Sequence, residues 1–291
     1  MCATCGCSES GTSVLVAAHD HDHDHDHADG HPQDHDHADG HSSGDNPIHG
    51  HGSDHSHPTL SAVDPRVVAL ERAVLAKNDA LAERNRTWLA ERRIVALNLV
   101  SSPGSGKTTL LERTIRELGA DLPMVVIEGD QATENDSTRI RAAGARALQV
   151  NTGTGCHLEA EIVGRALDLL APARDSVVMI ENVGNLVCPA LFDLGERAKV
   201  AILSVTEGDD KPAKYPHMFA AADVFIINKI DLLPYVDFDV ERCIALARAV
   251  RPGLTAIALS ARSGENMGAW YDWIRNARAA LAPRSQNSSA G

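Results

Sequence analysis

Residues 94–109 restrict the fold of this chain more than any other stretch. An apolar run of strand length, Ile94–Val100, leads straight into Ser101-Ser102-Pro103-Gly104-Ser105-Gly106-Lys107-Thr108-Thr109, and a helical pattern follows. The turn fits the phosphate-binding pattern G-x-x-x-x-G-K-[ST], with Ser101 standing in place of the first glycine. Each part has a chemical reason. Gly104 and Gly106 let backbone amides, with Ser105 between them, curl around phosphate oxygens. The helix that starts there aims its positive end at the same oxygens. Lys107 reaches the β- and γ-phosphates, the Thr108 hydroxyl suits Mg²⁺, and Thr109 continues the loop into the helix. An ordinary Gly/Ser turn is the bland alternative, and the strand-then-helix context disfavours it.

The rest of the chain repeats the same alternation. Apolar runs at 124–128, 147–150, 177–181, 200–205, 224–228 and 255–259 read as strands separated by helical stretches. Near-continuous apolar runs indicate parallel strands covered on both faces. The expected fold class is therefore α/β: a P-loop NTPase G domain whose mostly parallel sheet carries helices on both faces. Its first element is a helix opened by Asp64 as N-cap and Pro65 in the first turn. Val67, Leu70, Val74, Leu81 and Leu89 lie near helical spacing along it.

A second motif names the base. Asn228-Lys229-Ile230-Asp231 closes a strand, in the order and place of N-K-x-D in guanine-nucleotide proteins. The Asp231 carboxylate can accept from both N1–H and the 2-amino group of guanine. Adenine lacks that donor pair and would leave the carboxylate unpaired. Lys229 can lie along the base, and Ser260-Ala261 follows the last strand where a backbone loop meets the guanine oxygen. Two acidic positions complete the set. Asp130 and Glu181 both sit at strand ends, where ligands gather in open α/β sheets. With Thr108 they are candidate Mg²⁺ ligands, and with Lys107 candidate catalytic residues; strand-end capping is the alternative for each.

Charge divides the chain. Of the net −13, the first sixty residues supply −11, through Glu9 and ten aspartates without a Lys or Arg. The remainder is nearly neutral, with no basic stripe for nucleic acid. No apolar stretch reaches the ~20 residues of a membrane span, and Val14–Ala18 lacks the basic lead of a signal peptide. The expected setting is cytoplasmic, where thiols stay reduced. Six cysteines there suggest metal or redox chemistry. The expected divisions are a cysteine segment at 1–18, a His/Asp tract at 19–57, a G domain at 61–282 and a flexible tail at 283–291. The tract holds thirteen of the fifteen histidines and almost no apolar residues, so it should be disordered and bind divalent metal.

Cys2, Cys5 and Cys7 form the run C-x-x-C-x-C, which with the terminal amine could make a four-coordinate set for Ni²⁺. A zinc or redox C-x-x-C is the equal alternative on chemistry alone. Cys156 and His157 are adjacent in a glycine-rich loop after a strand, and Cys188 precedes Pro189 just beyond Glu181–Gly184. These also suit Ni²⁺, Zn²⁺ or Cu⁺. Cys243 reads as core, and His217 as structural.

On SSPGSGKTTL, IEGDQAT, QVNTGTGCHLEA, IENVGNLVCPALFDLGE, SVTEGDDKPAKYPHMFAAAD, NKIDLLP and LSARSGE the chain resembles the HypB family, GTPases that help insert nickel into [NiFe]-hydrogenase. The resemblance spans roughly residues 94–276 plus the amino-terminal cysteines. It implies GTP/GDP, Mg²⁺ and Ni²⁺ as ligands. It also implies a homodimer formed with nucleotide, and partnership with the hydrogenase large subunit and other maturation proteins. It assigns a metal site to Cys156, His157 and Cys188, with Zn²⁺ as an alternative there, and a tight nickel site to Cys2, Cys5 and Cys7. Ser101 is tolerated in the family. A urease-type nickel GTPase carries Cys-Pro-His instead; here Cys156-His157 and Cys188-Pro189 are separate. A nickel buffer with an inert nucleotide domain is the reading from another class, and the intact Lys107, Thr108 and Asp231 speak against it.

Overall fold

The computed structural model describes residues 13–14, 64–129, 134–151 and 157–281. Asp130, Cys156, the cysteines at 2, 5 and 7, the His/Asp tract and the tail at 283–291 lie outside these residues. In chain order the elements are β1 (Ser13–Val14), α1 (Pro65–Glu91), β2 (Val95–Ser101), α2 (Lys107–Leu118), β3 (Met124–Glu128) and α3 (Glu134–Ala142). Then come β4 (Arg146–Asn151), α4 (Ala160–Leu170), β5 (Val177–Glu181), α5 (Cys188–Leu191) and β6 (Ala198–Ser204). The last are α6 (Lys211–Lys214), α7 (Pro216–Ala221), β7 (Val224–Asn228), α8 (Val240–Val250), β8 (Thr255–Ala258) and α9 (Met267–Ala279).

The strands form one sheet in the order β1-β4-β3-β5-β2-β6-β7-β8. From β4 to β8 every pairing is parallel, and β1 lies antiparallel on the β4 edge. β2 is buried along its whole length, and its side chains alternate between the two faces as a period of two requires. Val95, Leu97 and Leu99 pack with Leu110, Ile115 and Leu118 of α2 and with Trp270 and Ile274 of α9. On the opposite face Ala96 joins Leu89 of α1 and Val163 and Leu167 of α4. Each leucine so buried contributes roughly 1.5–3 kcal/mol. The apolar runs of the sequence are explained by this double cover.

Asp64 caps α1 as expected, accepting from the Arg66 amide at 2.8 Å. Only part of its apolar spacing is buried: Leu89 is, and Val67 and Leu81 are half-buried. Leu70 and Val74 are exposed, and the buried residues are Asn78, Ala82, Asn85 and Leu89. The two amides are buried because they bind backbone of the domain. Asn78 donates to Asp193 O at 2.7 Å and accepts from Ala160 N at 2.9 Å. Asn85 donates to Ala160 O at 2.8 Å and Leu194 O at 3.0 Å. Gly195, in the left-handed region at φ +87°, lies so close to α1 that a Cβ would meet Ala82 O at 2.5 Å. Thus α1 fixes the start of α4 and the turn before β6, the two segments that follow His157 and Cys188 in the chain.

Candidate functional site

The 101–109 loop, Glu181 and the N-K-x-D turn sit at the carboxyl ends of β2, β5 and β7, on the same edge of the sheet. Gly104 and Gly106 are both left-handed, at φ +76° and +91°, where only glycine is unstrained. Gly106 is also sterically required, since a Cβ there would fall 2.5 Å from Asn228 Nδ2. Lys107 is buried at the start of α2 and donates its ammonium to Asn182 O. Thr108 Oγ1 donates to Glu181 Oε1 at 2.8 Å. Two oxygen donors of the kind Mg²⁺ prefers therefore already adjoin, beside the helix end expected to face phosphate. The Ser105 hydroxyl is buried and has no hydrogen-bond partner among the described residues.

Asn228 ties the motifs to one another. Its Nδ2 donates to Ser105 O at 2.9 Å, while Oδ1 accepts from Ala261 N at 3.0 Å and from Lys229 N at 2.8 Å. Lys229 takes a left-handed φ of +64° and carries its ammonium back over the loop to Gly104 O at 2.6 Å. Asp231 accepts from Ser260 Oγ at 2.5 Å. The N-K-x-D turn, the Ser260-Ala261 loop and the 101–109 loop thus form one bonded unit. Arg113 of α2 adds to it, donating to Ala261 O and Arg262 O at 3.2 and 2.9 Å.

Of the ligands expected for the second metal, two are described. Cys188 is buried as the first residue of α5. His157 stacks on Phe192, just past the end of α5, with ring centroids 3.8 Å apart. Its Nε2 lies 4.0 Å from Glu159 Oε1. Burial lowers the His157 pKa to about 4, so at neutral pH the imidazole is uncharged and keeps a lone pair for a metal. Among the described residues no group of three His, Cys, Asp or Glu forms a metal cage. Cys156 and Asp130 lie outside those residues, although β3 closes nearby: a Cβ on Gly129 would meet Leu158 at 2.5 Å. Cys243 is core, as expected.

The CobW/HypB/UreG nucleotide-binding domain family matches residues 95–258. The hydrogenase maturation factor HypB of Azotobacter chroococcum is 60% identical over 215 residues, covering 74% of this chain and 70% of that protein. That of Escherichia coli K12 is 58% identical over the same span, covering 74% of each. The chain belongs to the HypB family. Solved HypB structures agree in fold. One from Archaeoglobus fulgidus has a TM-score of 0.66 at 39% identity and covers 70% of this chain and 99% of that one. Another, from Helicobacter pylori in complex with nickel, also gives 0.66, at 36% identity, covering 70% and 96%.

Against this HypB-family background, sequence reading missed three polar residues around the site. Lys211 donates to Ser102 Oγ at 3.1 Å on the rim of the phosphate loop. Asn98 and Lys199 are buried in the central strands β2 and β6. The latter two had a visible signal, since each is a polar interruption of an apolar strand run.

Proposed function

We propose that this protein is a GTP-hydrolysing nickel chaperone that helps load the large subunit of [NiFe]-hydrogenase. The observation that carries the reading is the continuity of residues 181–192. Glu181 at its start bonds Thr108 of the phosphate loop, and Asn182 accepts from Lys107. Cys188 lies further along it, and Phe192 at its end stacks on His157. One short segment therefore touches the nucleotide machinery at one end and a thiol and imidazole at the other.

In this reading the base is guanine, recognised by Asp231 with Lys229, Asn228 and Ala261 supporting. Gly104 through Thr109 wrap the phosphates, with Lys107 neutralising them. Thr108 and Glu181, with Asp130 as a further candidate, would hold Mg²⁺, whose chemistry there would be charge neutralisation at the phosphates. Glu181 and Asp130 are the groups that could orient attacking water. Nickel is the cargo, held by Cys156, His157 and Cys188 in the G domain and by Cys2, Cys5 and Cys7 at the amino terminus. Loss of the γ-phosphate rearranges segments of this kind in GTPases, which would shift Cys188 against His157. A dimer formed with GTP would bring two such segments together. The printed names of the relatives, and the nickel complex of the Helicobacter pylori protein, support this assignment.

The test uses full-length protein with Cys2, Cys5 and Cys7 replaced by Ser. The thiolate-to-nickel charge-transfer band then reports only G-domain cysteines. Nickel affinity is titrated with GDP and with a non-hydrolysable GTP analogue, alongside GTP turnover. Expected results are turnover lost in Lys107→Ala, a band lost in Cys188→Ala with nucleotide binding kept, and a roughly 5–150-fold difference between nucleotide states. Equal nickel affinity in both states rejects the switch, and undiminished turnover in Lys107→Ala rejects the catalytic assignment.

A further inference from the structure

A chain of buried polar groups links the two ends of the 181–192 segment through the middle of the sheet. Asn182 Oδ1 accepts from the Leu158 and Val183 amides at 3.2 and 2.9 Å. Its Nδ2 donates to Asn98 Oδ1 at 3.1 Å, and Asn98 Nδ2 donates to Glu196 Oε1 at 3.0 Å. The second Glu196 oxygen accepts from Leu194 N at 2.6 Å. Lys199 Nζ lies 3.8 Å from Glu196 Oε1. That ammonium also donates to Pro189 O, Ala190 O and Phe192 O at 2.8, 3.4 and 3.1 Å, the carbonyls at the end of the turn that begins with Cys188.

The direction of these bonds is dictated from both ends. Backbone N–H groups at Leu158 and Val183 require an oxygen from Asn182, so its amine must face Asn98. A carboxylate at Glu196 requires a donor from Asn98, so the Asn98 oxygen faces Asn182. Neither amide can flip without leaving two buried groups mismatched, a cost that locks the orientation. The Glu196 and Lys199 side chains are only 6% and 8% exposed. An ion pair so placed is a poor source of stability, since apolar residues of equal volume do as well or better. Ordering geometry is what such a pair does well. Lys199 gathers three carbonyls of the Cys188 turn onto β6, and Asn98 ties that anchor to the residue whose carbonyl receives Lys107.

We propose that Asn98, with the Glu196–Lys199 pair, is a positioning relay that makes the placement of Cys188 and His157 depend on the phosphate loop. The relay touches neither nucleotide nor nickel. It acts through Asn182, which holds the Leu158 amide beside His157, and through the carbonyls that follow Cys188. The proposal rests on the nickel-switch reading above and supplies its connection.

The test measures the ratio of nickel affinities with the GTP analogue and with GDP, by the thiolate band, in the full-length Cys2, Cys5 and Cys7→Ser protein. Nucleotide affinity without nickel and the melting temperature are recorded for every variant. In Asn98→Ala the ratio is expected to fall from its parental value, roughly 5–150, to within about twofold of one. Nickel-free GDP affinity should stay within about threefold of the parent, a difference under 1 kcal/mol. A paired variant, Glu196→Gln with Lys199→Met, removes both charges so that neither is left buried alone. It is expected to give the same collapse, and it decides the question if Asn98→Ala does not fold. A lowered melting temperature with the parental ratio intact, in either variant, overturns the relay and leaves a structural staple. A parental ratio of one instead overturns the switch reading, and the relay falls with it.

Discussion

At the scale of single residues, the site is built from side chains tied into one another, with Asn228 alone bonding Ser105 O and the Ala261 and Lys229 amides. Asp231 is held by the Ser260 hydroxyl at 2.5 Å, which leaves its carboxylate aimed by a short bond. Asp231→Asn would offer an amide donor where guanine also donates. The expected cost to GTP is about 2–3 kcal/mol, roughly 30–140-fold in affinity, with a gain for xanthosine triphosphate. Competitive binding of the two nucleotides checks this, and a variant that still prefers GTP by the parental margin would remove Asp231 from base recognition. Cys243 shows the opposite case, a cysteine made inert. Burial, then the charges of Asp209, Asp210 and Asp239, push its thiol up to about 12. A thiol that stays protonated at pH 8 is a poor nucleophile. Alkylation of native protein at that pH should leave Cys243 unmodified by peptide mapping, and denatured protein should label it fully. Native labelling at Cys243 would show that the α8 face opens.

Elements impose the next constraint, because the loops that carry chemistry are pinned by helices that do none. Beside the buried Leu89, α1 uses Asn78 and Asn85 to bind the backbone around Ala160 and Asp193–Leu194, fixing the segments after His157 and Cys188. Asn85→Ala removes two buried bonds and leaves two carbonyls short of donors. A loss of about 2 kcal/mol is expected, read as a lower denaturation midpoint with an unchanged slope. No change in midpoint would mean that α1 docks by its apolar contacts alone. The α2 start makes a sharper demand. Gly106→Ala would place a methyl 2.5 Å from Asn228 Nδ2 at a φ of +91°, so nucleotide binding should be lost while the far side of the sheet stays folded. Equilibrium binding and circular dichroism separate the two effects, and retained GTP affinity would refute the packing argument.

Across the whole molecule, the G domain and the histidine tract answer to different physics. The tract has thirteen histidines and almost no apolar residues to bury, so it is expected to add ligands without adding core. Deleting residues 19–57 should remove most nickel equivalents measured at saturation and leave GTP turnover within about twofold, under 0.5 kcal/mol of barrier. Loss of turnover or of folding would show that the tract serves the domain. Much of this protein was determined by sequence alone, because the relevant signals are local. Seven parallel strands, the phosphate loop and the base motif follow from short runs in which each residue type has one chemical reason to be there. The strand ends shifted by only one or two residues, as at β2 and β6. Tertiary structure decided the rest. Which face of α1 is buried depends on backbone groups more than seventy residues away, so of its spaced apolar residues Leu89 is buried while Leu70 and Val74 are exposed. The joining of Glu181 to Thr108, and of Phe192 to His157, depends on the lateral order of β5, β2 and β6, which no local pattern encodes. Asn98 and Glu196 are far apart in the chain, Asn98 and Lys199 are each only a polar residue in an apolar run, and Glu196 is only a charged residue in a turn. They become a relay because parallel pairing sets those strands side by side in a low-dielectric interior, where every buried polar group must find a partner.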